Sequence, residues 1–139
     1  MSAEKNLIEA GRWLVTARED LETAIVLARN GRHAHACFHS HQAGEKALKA
    51  VWGGAGSDPW GHSLRKLLED LRLVSEHSFV MLGDLVEEGA RLDRYYVPTR
   101  YPNGLPDITP DMAYFQSDAE HAINLAKVII DRVAALVRE

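Results

Sequence analysis

AEKNLIEAGRWLVTAREDLETAIVLARN, residues 3–30, is the stretch that decides the fold. Leu7, Ala10, Leu14, Ala17, Leu21, Ala24 and Ala28 recur at alternating spacings of three and four, which is the seam of a helix packed in a bundle. The opposite face carries Glu4, Lys5, Arg12, Arg18, Glu19 and Glu22, a solvated surface. Asn30-Gly31 then supplies a C-terminal stop, because glycine enters the left-handed region without a Cβ penalty.

Working outward, 32–52 reads as a second helix on Ala36, Ala43, Ala47 and Ala50, widened by Phe38, Leu48 and Val51. So many alanines on one face imply close helix–helix approach. Gly53-Gly54-Ala55-Gly56-Ser57-Asp58-Pro59 ends it, since three glycines and a proline defeat helix propagation. A short third helix is expected over 62–74 on Leu64, Leu67, Leu68 and Leu71, and a fourth over 76–96 on Leu82, Leu85, Gly89, Leu92 and Tyr96. Three prolines and a glycine make 97–108 a loop, and loops of that length inside compact bundles are often functional. Thr109-Pro110-Asp111 restarts the helix as cap, first-turn proline and dipole-facing acid. The last helix is expected to run to about 138 on Met112, Phe115, Ala119, Ala122, Ala126, Ile129, Val133 and Leu136. No segment alternates with period two. The expected fold is therefore all-α, an antiparallel up-and-down bundle of four long helices plus one short helix, in a single domain over 1–139.

At 139 residues, 46% hydrophobic and 26% charged, the chain has an ordinary globular balance with one core. Its lone Cys37 allows no intrachain disulfide and no cysteine-based zinc site, which fits a reducing cytoplasm. Neither an export signal nor a run of roughly 18 apolar residues is present, so no membrane association is expected. A net charge of -4 argues against a broad basic surface for nucleic acid, although a local basic pocket remains compatible with it.

Several segments together resemble one family. Ala17, Asp20-Leu21 and Ala24 within Trp13–Ala24 follow its opening pattern, and ACFHSHQAGEKALKA, residues 36–50, is similar to its most recognisable stretch. Gly61-His62-Ser63-Leu64, leading to Leu67-Leu68, resembles a Gly-His-Asp-Leu helix start with Ser63 in place of Asp. Tyr95-Tyr96, Arg100-Tyr101-Pro102 and the Ala-rich closing helix resemble the tail of its prokaryotic branch. The family is HEPN, the higher eukaryotes and prokaryotes nucleotide-binding domain. The resemblance implies a helical bundle that commonly forms a homodimer, with roles around nucleotides and RNA. Many members are metal-independent ribonucleases, often toxins, that carry an Arg followed after four to six residues by His near the dimer interface. Others lack that signature, and some pair with a small nucleotidyltransferase encoded beside them.

Arg29 to His35, Arg32 to His39 and Arg72 to His77 all satisfy that spacing, but 11 Arg and 7 His make such pairs expected by chance. In the family the pair lies around the loop before the last helix. Here that loop offers Arg94 and Arg100, with no His before His121. The absence matters because His has the pKa suited to moving a proton near neutrality, whereas Arg stays protonated and only binds or stabilises charge. A His of the second helix, or His62, would have to reach the cleft for cleavage to survive.

The expected binding cluster is Arg91, Arg94, Tyr95, Tyr96, Arg100 and Tyr101, since Arg makes bidentate phosphate contacts and Tyr stacks on bases. The competing reading is a helix end braced against a proline loop. Lys46 could add positive charge to the same cleft, and Lys49 could do so or pair with Glu45. His35 with His39, and His41 with Glu45, have chelating spacing, but nothing completes either shell, so neither a metal nor another cofactor is expected. His62 reads as a turn or capping residue. The leading expectation is a non-catalytic module that binds nucleotide or RNA phosphate, with a nucleotidyltransferase partner. A divergent ribonuclease of toxin–antitoxin type and a purely structural dimer are the alternatives.

Overall fold

The computed structural model describes residues 2–137. Helix α1 (Ala3–Arg29) and helix α2 (His33–Gly54) are joined by a tight turn in which Gly31 takes φ +76°, the left-handed position its sequence foretold. After a loop come α3 (Leu64–Glu69) with a 3₁₀ turn (Asp70–Leu73), then α4 (Glu76–Leu82), a 3₁₀ turn (Gly83–Leu85) and α5 (Val86–Asp93). A further 3₁₀ turn (Pro102–Gly104), the four-residue α6 (Pro110–Ala113) and the long α7 (Gln116–Val137) complete the chain. No strand occurs among the described residues, and none of their helices is long and apolar enough to cross a membrane.

The columns alternate in direction. Lys46 pairs with Asp20 and Gly54 approaches Ala10, so α2 runs back along α1. Gly44 faces Ile129 and Val51 shares a hollow with Val137, so α7 runs parallel to α2. The α4–α5 column opposes both: Ser78 lies near Leu136, Asp84 near Arg132, and Leu92 near Gly44. The expected up-and-down bundle is present, with α3 as the extra short helix. Arg138, where the last helix was expected to end, lies outside the described residues.

Alanine sets the closest approach. On α1 it is Ala10, Ala17 and Ala24 that are fully buried, while Leu14 and Leu21 flank the contact and Leu7 stays largely exposed near the helix start. On α2, Ala36, Ala43, Ala47 and Ala50 are all buried, as are Leu64, Leu67, Leu68 and Leu71 around α3. Small side chains let the backbones approach, and the leucines fill the space beside them.

Two expected helices are interrupted. The 76–96 helix breaks at Gly83, a poor helix former, where the carbonyl of Met81 accepts a 2.6 Å bond from Arg132 of α7 and the Asp84 carboxylate takes the same guanidinium at 2.7 and 3.0 Å. The break thus has its carbonyl satisfied from another column. Thr109 makes no side-chain cap, and its restart yields only α6 before Tyr114 turns extended. Helix α7 begins afresh at Gln116, where the Asp118 carboxylate accepts from Phe115 N–H at 2.8 Å, the reach-back half of a capping box. Met112 and Phe115 therefore fall off the buried seam and are exposed.

Cys37 is fully buried in this core, and burial, with the Asp118 carboxylate adding to it, pushes its thiol up to about 12. Alkylation by iodoacetamide at pH ~8 is expected to be at least about 100-fold slower in the folded chain than in denaturant. Equal rates under both conditions would contradict this placement.

Candidate nucleotide-phosphate site

The site is organised by Asp93, the last residue of α5. Its carboxylate accepts from the backbone N–H of Leu64 at 2.8 Å and of Arg65 at 3.1 Å, the Ser63 hydroxyl at 3.0 Å, and His41 Nε2–H at 3.0 Å. The two amides open α3 and have no partner inside their own helix, so the carboxylate of another helix caps them. Ser63 in turn accepts from Lys66 N–H at 3.1 Å. Burial pushes the Asp93 carboxyl up, but the bonds from His41, Leu64, Arg65 and Ser63 outweigh it and hold the group below the usual carboxylate range. His41 is fully buried on α2. One carboxylate therefore ties α2, the start of α3 and the end of α5 together; the start of α3 lies close in sequence to His62, and the end of α5 to Tyr96.

Tyr96 is the hub of an aromatic cluster. Its ring stacks on His62 at 5.0 Å, meets His41 at 4.9 Å and stacks on Phe38 at 6.3 Å between centroids. The Arg100 guanidinium lies 4.6 Å from the Phe38 ring, 4.6 Å from Tyr96 and 5.0 Å from Tyr101, with Nε donating to the Tyr96 carbonyl at 3.0 Å. Aromatic faces attract and orient the cation. With Nε engaged, the two terminal nitrogens of Arg100 make no hydrogen bond among the described residues.

His62 is set in a similar way. Gly61 takes φ +88°, turning the chain so that His62 Nδ1–H donates to Glu45 Oε1 at 3.1 Å, while the second Glu45 oxygen pairs with Lys49 at 2.9 Å. The Glu45 side chain is only 4% exposed, whereas that of His62 is 56% exposed. One side of the imidazole is anchored and the other faces solvent.

Of the residues singled out in sequence, Tyr96, Arg100 and Tyr101 come together here. Tyr95 turns instead toward the core, edge-on to Tyr114 at 6.0 Å, and burial pushes its hydroxyl up to about 12. Arg94 is exposed at the end of α5, and Arg91 pairs along that helix with Glu87 at 3.2 Å. Lys46 points toward α1 and pairs with Asp20 at 2.6 Å. Phe38, Glu45 and Asp93 were not singled out as contributors to this site. The first two share a visible signal with His41, because 38, 41 and 45 stand three and four apart on one face of α2. The His41/Glu45 spacing that suggested chelation serves two different partners. Among the described residues no cluster of three or more His, Cys, Asp or Glu is placed to hold a metal ion. His77, of the chance pair with Arg72, lies in a hollow with Leu7, Ala50 and Leu136 at the other end of the bundle.

Known proteins agree with this architecture. The family model described as "HEPN domain" matches residues 10–136. TT1696 from Thermus thermophilus is 39% identical, with a TM-score of 0.81 over 91% of this chain and 97% of that one. A structure described as an archaeal HEPN homologue, ST0689, is 30% identical, with a TM-score of 0.76 over 93% and 98%. A protein of Methanocaldococcus jannaschii that is provisionally named a toxin is 26% identical over 96% of this chain and 91% of its own length. With a family model spanning most of its length and relatives of such coverage, the chain belongs to the HEPN domain family.

Proposed function

We propose that this HEPN domain binds the phosphate of a nucleotide or of RNA at the Tyr96–Arg100 cluster. The observation that carries the proposal is the Arg100 guanidinium, held among three rings with Nε engaged and both terminal nitrogens unused. A cation already oriented in this way loses little freedom on taking a phosphate, and its paired N–H groups match two phosphate oxygens. Tyr101, about half exposed, stands beside it as a platform for a base. The net charge of -4 is no obstacle, since the positive charge is local. Arg94 is exposed at the end of α5 and carries no ion pair among the described residues, while Arg91 and Lys46 are engaged by carboxylates and contribute less.

The same reading includes a homodimer in the cytoplasm and a small nucleotidyltransferase as companion, both implied by the family. The toxin name of the Methanocaldococcus jannaschii relative supports a toxin–antitoxin setting. Fluorescence anisotropy with a labelled single-stranded oligoribonucleotide and with ATP tests the site. Arg100→Ala is expected to weaken Kd by roughly 10- to 100-fold, the worth of a charge-assisted bond, while Arg91→Ala stays within about twofold. Absence of binding by the wild type, or equal loss in the two variants, refutes the proposal. Sedimentation velocity checks the dimer.

A further inference from the structure

We infer that Asn103 is a site of spontaneous deamidation on the loop that carries Arg100, with hydroxide and water as its co-reactants. Two Asn-Gly dipeptides occur in the chain, Asn30-Gly31 and Asn103-Gly104. Glycine has no Cβ to obstruct the approach of its own amide nitrogen to the preceding carboxamide, so both have the composition for the reaction. The fold treats them differently.

Asn30-Gly31 is locked. Asn30 Nδ2 donates to the Val26 carbonyl at 2.8 Å, its backbone N–H to Val26 and Leu27 at 3.2 Å, Gly31 N–H to Ala28 at 3.1 Å and Arg32 N–H to Leu27 at 2.8 Å. The turn also joins α1 to α2, so opening it loosens the pair of helices whose buried alanines meet in the core.

Asn103-Gly104 is held by much less. Both residues are exposed in the 3₁₀ turn Pro102–Gly104, which buries no residue, and Leu105 N–H closes that turn on the Pro102 carbonyl at 2.9 Å. The Asn103 carboxamide makes no hydrogen bond among the described residues. A Cβ placed on Gly104 would meet nothing within 4 Å, so the space a five-membered ring needs is open. A short exposed 3₁₀ turn of this kind opens at little cost.

The reaction needs neither oxidant nor reductant. Hydroxide takes the Gly104 amide proton, the nitrogen's electron pair forms a bond to Asn103 Cγ, and the Cγ–Nδ2 bond breaks, releasing ammonia as water protonates the leaving nitrogen. Water then opens the cyclic imide at one of its two carbonyls. The product is aspartate, or the isomer in which the chain runs through the side-chain carboxyl, and either carries one new negative charge. That charge lies near Arg100. The Tyr101 ring stands 5.0 Å from the Arg100 guanidinium, Asn103 follows two residues later, and its Cα is at most roughly 11 Å from that of Arg100. The separation is close to a Debye length, so the new carboxylate opposes the approach of a phosphate. This effect on binding rests on the phosphate-binding reading above, whereas the modification does not.

The full chain is aged in mildly alkaline buffer, folded and in denaturant, and each Asn-Gly is followed by peptide mass spectrometry through the mass gained when an amide becomes a carboxylic acid. In the folded chain Asn103 is expected to convert at least roughly tenfold faster than Asn30, because the Asn30 turn must break more hydrogen bonds first. In denaturant the two rates should agree within about threefold, since the protection of the fold is gone. Gly104→Ala is expected to slow Asn103 several-fold. Conversion at Asn103 no faster than at Asn30 in the folded chain overturns the inference, and so does an unchanged rate in Gly104→Ala. Asn103→Asp is expected to weaken Kd for the labelled oligoribonucleotide by about twofold in low salt, an effect that fades in high salt. An equal Kd in low salt overturns the effect on binding. Wild-type protein that fails to bind RNA removes the binding reading alone, and the mass measurement still decides the modification.

Discussion

Asp93→Ala is expected to lower the unfolding free energy by about 2–4 kcal/mol, measured by urea denaturation, because it strands several groups at once. Fully buried His41 loses the acceptor at 3.0 Å, and the first two amides of α3 lose the carboxylate that caps them at 2.8 and 3.1 Å. A lost cap alone is worth about 1 kcal/mol, and an uncompensated buried polar group adds about 1–3 more. Asp93→Asn keeps the shape and one oxygen, so its loss should fall between the wild type and Asp93→Ala. An Ala variant within about 0.5 kcal/mol of the wild type would show that water replaces the carboxylate without penalty, contrary to this account.

The same carboxylate gives stability a defined pH dependence. Its folded pKa lies below the ordinary carboxylate value, so the unfolded chain binds the proton more readily. Stability from Asp93 is therefore fully present above the unfolded pKa of about 4 and is lost as pH falls through the folded value. Asp84, held low by its hydrogen bond from Arg132, titrates in the same direction. The informative quantity is thus the difference between wild type and Asp93→Asn. Their melting temperatures should converge as pH falls from ~7 to ~3. A constant gap across that range would refute the linkage.

What the sequence reveals of this fold depends on how local each determinant is. The α1 and α2 seams are legible because the three/four spacing of Ala10, Ala17, Ala24 and of Ala36, Ala43, Ala47, Ala50 is itself the geometry of a packed helix. The break at Gly83 is not legible in that way. One glycine inside an apolar pattern is tolerated, and the group that satisfies the freed Met81 carbonyl, Arg132, stands 51 residues further on. The site divides along the same line. Composition marks the 91–101 segment as basic and aromatic, but which side chains gather depends on where α5 ends. Tyr96 and Arg100 turn toward Phe38 and His62, whereas neighbouring Tyr95 turns toward the core. No local pattern announces that an aspartate at the end of one helix caps another 29 residues earlier.

Gly44→Val is expected to destabilise the chain by about 3 kcal/mol, the upper part of the usual range for overpacking. A Cβ at this position would stand 2.6 Å from Leu64 Cδ2, 3.2 Å from Leu92 Cδ1 and 3.7 Å from Ile129 Cδ1. Leu64 and Leu92 are fully buried and already packed, so both cannot retreat together. Gly44→Ala is a different case. It adds that same Cβ and nothing beyond it, so the two leucine methyls must still give way, but alanine gains about 1 kcal/mol of helix propensity over glycine, and its net loss should be smaller than that of Gly44→Val by about 1–2 kcal/mol. Valine adds two methyl groups and loses part of that gain through its branched Cβ. The strain also falls on the residues that Asp93 organises, because Leu64 donates its amide to that carboxylate and Leu92 precedes it in the chain. Gly44→Val and Asp93→Ala should therefore combine non-additively, with an interaction of at least about 0.5 kcal/mol in a double-mutant cycle. Strict additivity would mean that the approach of α2 to α3 and the Asp93 bonds are independent.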